Sequence, residues 1–215
     1  MQPINASFSN NRNNGLPTAK TPSTVFQSGY FVVYTGLGGV IPYSASETLF
    51  MTITGTFQLG ETVTQATSGA TGVVIALDSD FAGAPSGITV NAITGTFDTS
   101  HVVTGGTSGA TGTPSTILAN NLILGLSNSV VTSASKDWLL TDDINVSTPV
   151  AVLDYLDIPV SNGTATAGLV GSYVMVDPAN PGQVDVTTAS TTGQILVTRV
   201  TSANTIKGVI AQAVA

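Results

Sequence analysis

Groups able to move protons or hold metal are scarce in this 215-residue chain, which has one histidine, twelve carboxylate side chains and no cysteine. His101 would need an orienting carboxylate to act as a general base, and the sequence around it indicates none. A nucleophilic serine would be announced by G-x-S-x-G, and the nearest stretch, Gly106-Thr-Ser-Gly-Ala110, lacks the final glycine. The carboxylate pairs Asp78/Asp80, Asp142/Asp143 and Asp154/Asp157 are of the right type for glycoside cleavage or calcium binding. Asp78 and Asp80 precede Gly83 and Pro85 in a loop, and Asp142 and Asp143 follow a short helical pattern, so both pairs read as solvated caps. Gly36-Leu-Gly-Gly39 follows a strand-like run, but no helix pattern comes after it, and neither a Walker lysine nor a Rossmann acid is present. The expectation is a chain that is not an enzyme, with no catalytic residue, no cofactor and no metal.

Composition bounds the partners. Charged residues make up 8% of the chain, against roughly 25% in soluble domains. Their place is taken by neutral polar residues, with 33 threonines against 17 charged side chains. Net charge is −7, and Arg12, Lys20, Lys136, Arg199 and Lys207 are too few to neutralise a row of phosphates, so no nucleic acid is expected as a partner. The longest apolar runs, such as Leu169 to Val176, are strand-sized, so no membrane is expected either. The first fifteen residues lack the apolar centre of a cleaved signal, which points to a soluble chain assembled in the cytoplasm.

The elements that must position everything else are strands. From Val25 onward, short runs rich in Val, Ile, Thr, Tyr and Phe alternate with Gly, Ser, Asn and Pro clusters. Strands are predicted at 30–35, 48–54, 73–77, 88–91, 117–126, 130–132, 169–177, 194–201 and 206–214, with one helical turn at 135–140. Asp177-Pro-Ala-Asn-Pro-Gly182 predicts a hairpin turn between Val174–Val176 and Val184–Val186. The fold class is all-β, with antiparallel sandwich or barrel units, an extended N-terminal arm and little helix. Three regions are expected: the arm over 1–24, a β domain over 25–134, and a C-terminal β domain over 135–215.

The middle region contains a duplication. Ile53-Thr-Gly-Thr-Phe57 recurs as Ile93-Thr-Gly-Thr-Phe97, and Thr67-Ser-Gly-Ala-Thr-Gly72 as Thr107-Ser-Gly-Ala-Thr-Gly112, both at an offset of 40 and with 13 identities in 20 aligned positions. Two copies are too few for a stacked solenoid, so a pseudo-symmetric pair of β units is expected. Each unit should run strand, turn, strand, with Gly69 and Gly109 at positive φ. His101 occupies the position equivalent to Glu61.

A sheet protein normally guards its edge strands with lysines, inward charges or prolines. Three lysines serve more than ten predicted strands here, so many edges and faces should be covered by other subunits. The residues expected at such an assembly interface are Ile4, Phe8, Leu16, Phe26, Tyr30 and Phe31.

The phrases Gly55-Thr-Phe57, Gly60-Glu61, Val63-Thr64 and Thr67 to Gly72 resemble a repeat found in structural proteins of tailed bacteriophages, from which Ser100-His101 departs. The C-terminal stretch, with Ile158-Pro-Val160, Gly168-Leu-Val170 and the closing Ile206 to Ala213, is similar to small β-barrel capsid decoration proteins. The resemblance implies a cement protein on the exterior of a virion, forming a homo-oligomer, commonly a trimer, bound to the major capsid protein and bridging capsomers. Two other readings stay open: a tail or fibre component recognising the host surface through the loops around Gly69 and Gly109, with Phe57 and Phe97 as platforms, and a carbohydrate-active enzyme using Asp154 and Asp157.

Overall fold

The computed structural model of the chain describes residues 24–81, 83–127, 131–134 and 157–211, with the backbone of 7–8, 15–19, 143–147 and 156. The protein is all-β. From the N-terminal segment come β1 (Ser7–Phe8) and β2 (Gly15–Ala19), followed by β3 (Phe31–Tyr34) and β4 (Val40–Pro42). The middle supplies β5 (Ser46–Met51), β6 (Thr62–Gln65), β7 (Ala70–Leu77), β8 (Gly87–Thr94), β9 (Val103–Gly105), β10 (Thr111–Gly112) and β11 (Pro114–Ala119). Then follow β12 (Ile123–Ser127), β13 (Asp143–Ser147), β14 (Leu156–Asn162), β15 (Tyr173–Val176), β16 (Val184–Ser190), β17 (Ile195–Ser202) and β18 (Thr205–Ile210).

The C-terminal strands curl into a barrel in the order β14–β16–β15–β17–β18, with β18 returning to β14. Alternation drives it: Val174 and Val176, Val184 and Val186, and Ile195 and Val197 point inward with Ile158 and Ile206, while their neighbours face out. Full burial of each such side chain contributes about 1.5–3 kcal/mol before entropy is counted. The expected hairpin is present, with Val176 opposite Val184. The Asp177 carboxylate accepts from the Ala179 N–H and the Asn180 amide, both at 2.8 Å, which holds the turn. One pairing departs from the antiparallel expectation: β14 runs parallel to β16, because the chain crosses from Asn162 through the turn at Ala167–Leu169 and enters β15 first.

β5 to β11 form a seven-stranded sheet, ordered β10–β9–β6–β7–β8–β5–β11. Thr113 alone separates β10 from β11, and Thr54 bridges to Thr111, so the two ends of the sheet meet. Leu49, Met51, Phe57, Val63, Val74, Ile88, Val90, Phe97 and Val103 fill the interior.

The third sheet, β2–β13–β12–β3–β4, includes part of the N-terminal arm. β2 pairs with β13, and β1 pairs with β14, so the described parts of the arm are strands added to sheets of the same chain. Phe31, Val33, Ile41, Tyr43, Ile123 and Leu126 pack in one cluster with the interior of the C-terminal barrel. Hydrophobic packing therefore cuts across the boundary expected near 134: residues 46–119 form the seven-stranded sheet, and the segments flanking it pack with the C-terminal strands. Gln194 ties these parts together, accepting from the Val176 N–H at 3.0 Å and donating to the Asn121 carbonyl at 3.1 Å.

Three strand predictions change, the one at 130–132 because its described residues contribute only an isolated bridge from Val131 to Phe26. The run at 117–126 is two strands, because Asn120 turns inward, its N–H bonding to the Ser46 carbonyl at 2.9 Å and its side chain accepting from the Thr48 hydroxyl at 3.1 Å. The run at 169–177 begins only at Tyr173, because Gly171, at φ +88, and the turn at Ala167–Leu169 occupy its first residues. The helical turn at 135–140 lies outside the described residues.

Candidate functional site

The duplicated segment is the most organised feature of the molecule. Within each copy the registers agree at the offset of 40: Thr64 faces Thr71 as Thr104 faces Thr111, and Val63 faces Gly72 as Val103 faces Gly112. Between copies the pairings are reciprocal. Thr54 of the first copy bridges Thr111 of the second, and Thr94 of the second pairs with Thr71 of the first. Thr64 pairs with Thr104, its own equivalent. The two copies are therefore related by a pseudo-twofold axis and together build one curled sheet. Gly69 (φ +73) and Gly109 (φ +67) take the left-handed conformation expected of the two turns.

Each turn is held by a polar side chain, but the two copies supply different ones. In the first lock, the Glu61 carboxylate, 5% exposed, accepts from the Gln58 N–H at 2.7 Å, the Ser108 N–H at 3.0 Å, the Thr107 N–H at 3.1 Å and the Ser108 hydroxyl at 2.9 Å. Burial by itself would raise the Glu61 pKa. The hydrogen bonds from the Ser108 backbone, Gln58, the Ser108 hydroxyl and Thr107 outweigh it and hold the carboxyl below its ordinary range. Gly105 makes the room, since a Cβ there would lie 2.7 Å from Glu61 Oε2.

In the second lock the equivalent of Gly105 is Gln65, and the equivalent of Glu61 is His101. Gln65 is fully buried and accepts from the Ser68 hydroxyl at 2.7 Å and the Asp98 N–H at 2.9 Å, while donating to the carbonyls of Asp98 at 2.9 Å and His101 at 2.8 Å. The side chain filling the gap thus comes from the other strand, and His101 is released to the surface.

His101 does have an orienting carboxylate, which sequence reasoning missed. Asp98 approaches its Nδ1 at 2.8 Å and 2.9 Å. The His101 hydrogen bond, followed by that from the Ser100 N–H, holds the Asp98 pKa below its usual range. The pair lies on an open turn, 39% and 37% exposed, where water screens the interaction.

The other chemical candidates are dispersed. Asp80 accepts from the Leu77 N–H at 2.8 Å and Asp78 from the Gly87 N–H at 3.3 Å, which ties down a single turn. Asp157 pairs with Lys207 at 2.6 Å across β14 and β18. Asp142 and Asp154 lie outside the described residues, and Asp143 is placed on β13. The Gly36–Gly39 stretch is a tight turn closed by the Thr35 N–H on the Gly39 carbonyl at 2.8 Å, with Gly36 against Phe50 and Gly39 against the Phe81 ring.

The expected interface residues separate into groups. Phe26 and Phe31 are fully buried, Phe26 against Val32, Val40 and Val131, and Phe31 in the cluster shared with the C-terminal barrel. Their assignment as anchors for a neighbouring chain is therefore corrected, because an aromatic run beside a strand serves the chain's own core. Tyr30 is half-buried at the start of β3. Phe8 stands opposite Leu156 and Leu16 opposite Val146 in the strand registers, and Ile4 lies outside the described residues. Phe57 and Phe97 are 2% and 4% exposed and fill the interior of the duplicated sheet, so they offer no platform for a sugar ring.

Outward positions along β6, β9, β11 and β16 include the hydroxyl side chains Thr62, Thr64, Thr104, Ser115, Thr116, Thr187 and Thr188, beside the exposed Leu118 on β11, while the charged Arg199 is exposed on β17. A shallow groove of about 440 Å³ opens where the two ends of the duplicated sheet meet, lined by Thr52, Thr54, Thr111, Thr113 and Ser115 around the exposed Val102. Such a surface can exchange hydrogen bonds without desolvating ions. No family model, curated protein or solved structure matches the chain.

Proposed function

We propose that the protein is a capsid decoration protein of a tailed bacteriophage, which binds the outside of the head as a homo-oligomer and stabilises the shell by bridging capsomers. The observation that carries this reading is the set of exposed hydroxyl side chains Thr62, Thr64, Thr104, Ser115 and Thr116 on β6, β9 and β11, at strand positions where a solitary β protein usually keeps lysine or glutamate. Exposed hydroxyls of this kind suit an interface with many neutral hydrogen bonds and no reaction. β1 and β2 stand at the ends of their own sheets, where a strand of a neighbouring chain can add to them. The resemblance of the repeat and the C-terminal stretch to virion proteins supplies the location.

The test is to purify the chain, measure its mass in solution, and mix it with mature and immature phage heads. A trimer that sediments with mature heads and raises their resistance to heat supports the reading. A monomer that binds neither form of head overturns it.

A further inference from the structure

We propose that Asn162 is a site of spontaneous modification, where the side-chain amide is converted through a cyclic imide to aspartate or isoaspartate, and that the conversion loosens the parallel seam of the C-terminal barrel. Asn162 is exposed at the end of β14 and is followed by Gly163. Three features make the pair reactive. Gly163 has no Cβ to hinder approach, its φ is +82, and among the described residues its N–H has no hydrogen-bond partner. An amide nitrogen in that condition is free to attack the neighbouring side-chain carbonyl carbon.

The bookkeeping of the step is simple. The Gly163 nitrogen loses its proton and bonds to Asn162 Cγ, the bond from Cγ to the side-chain nitrogen breaks, and ammonia leaves. Water then opens the five-membered imide at either carbonyl, giving aspartate or isoaspartate. Nothing is oxidised or reduced.

The fold keeps the reactive pair in place. Position 163 requires glycine, because its φ is left-handed and because a Cβ would lie 2.8 Å from Val186 Cγ2 and 3.0 Å from Thr187 Cγ2. Asn162 in turn faces Asp185 in register, at the junction where β14 and β16 close the barrel as a parallel pair, and its amide donates to Asp185 Oδ2 at 3.2 Å. Conversion removes that donor and sets a new carboxylate against Asp185. The isoaspartate product also adds a methylene to the main chain, which shifts the register beyond Val160.

The experiment ages the folded full-length protein in mildly alkaline buffer and maps its peptides for the mass gain of replacing NH2 by OH and for isoaspartate. Expected is conversion at Asn162 ahead of Asn121, Asn180 and Asn204. Backbone amides of β14 and β16 should then exchange hydrogen roughly twofold to fivefold faster in aged protein and in Asn162→Asp, the effect of like charges placed opposite on neighbouring strands. Asn162→Gln, which keeps a donor and closes the imide ring slowly, should stay unmodified. The site is overturned if native protein keeps its Asn162 amide while urea-unfolded protein loses it. The consequence is overturned if aged protein and Asn162→Asp exchange like fresh protein.

Discussion

Thr64 and Thr104 stand forty positions apart in the chain and face each other across β6 and β9, so the pseudo-twofold axis of the duplicated sheet passes between them. Every equivalence in the two copies follows from that pairing, including the exchange of locking residues between positions 61 and 101 and between 65 and 105.

The exchange can be tested by transplantation. Glu61→His should cost about 2–4 kcal/mol in urea unfolding, because it leaves the Thr107 and Ser108 amides without a charged acceptor. Adding Gly105→Gln, which copies the second lock into the first, should recover a substantial part of that loss. If the double variant is no more stable than the single one, the two sites are not equivalent.

Glu61 also sets a pH dependence. Its folded pKa is lowered, so its contribution is present above the ordinary carboxylate range and is lost as pH falls through the lowered folded value, on the acid side of that range. Melting curves should drop over that interval in the native chain and drop less in Glu61→Gln. Glu47 acts in the opposite sense. Burial raises its pKa, and among the described residues its Oε2 has no hydrogen-bond partner, so the destabilisation by its charge appears as pH rises through the folded value. Glu47→Gln should raise the melting temperature at neutral pH and leave it nearly unchanged under acid conditions.

Two glycines in the second copy should fail for different reasons. Gly109→Ala meets nothing within 4 Å among the described residues, so its cost is the left-handed backbone alone, about 1–2 kcal/mol. Gly105→Ala would overlap Ser108 Oγ and crowd Glu61. Pairing it with Glu61→Ala should therefore relieve strain, giving a non-additive double-mutant cycle, whereas Gly109→Ala with Glu61→Ala should add.

A buried hydroxyl network joins the duplicated sheet to the rest of the molecule. The Thr48 hydroxyl accepts from the Gly36 N–H at 3.0 Å, lies 3.0 Å from the Thr89 hydroxyl and donates to Asn120 Oδ1 at 3.1 Å. Thr48→Val keeps the shape and removes these partners, leaving the half-buried Gly36 N–H and the buried Asn120 side chain short of a partner, so about 1–3 kcal/mol should be lost. The exposed counterpart Thr64→Val should change stability by less than about 0.5 kcal/mol.

Much of the architecture was legible because strand signals are local. The alternation through Val174–Val176 and Val184–Val186, the turn at Asp177–Gly182, and the need for positive φ at Gly69 and Gly109 each depend on a few adjacent residues. The mismatched positions of the repeat held a readable clue, since Glu61/His101 and Gln65/Gly105 differ four residues apart, but nothing in one dimension says that Gly105 clears space for Glu61. Phe26 and Phe31 were misassigned for a related reason: aromatic residues beside a strand look the same whether they fill the chain's own core or await a partner.

By itself the sequence determined an all-β chain poor in charge, with two related units whose turns fall at defined glycines, because backbone preference and side-chain alternation act over neighbouring residues. Only the tertiary structure decided that the two units exchange strands about an axis between Thr64 and Thr104, that β14 closes its barrel in parallel with β16, and that the strands flanking the duplication join the C-terminal core. Those outcomes depend on which distant surfaces bury one another, and burial is a property of the whole packed chain.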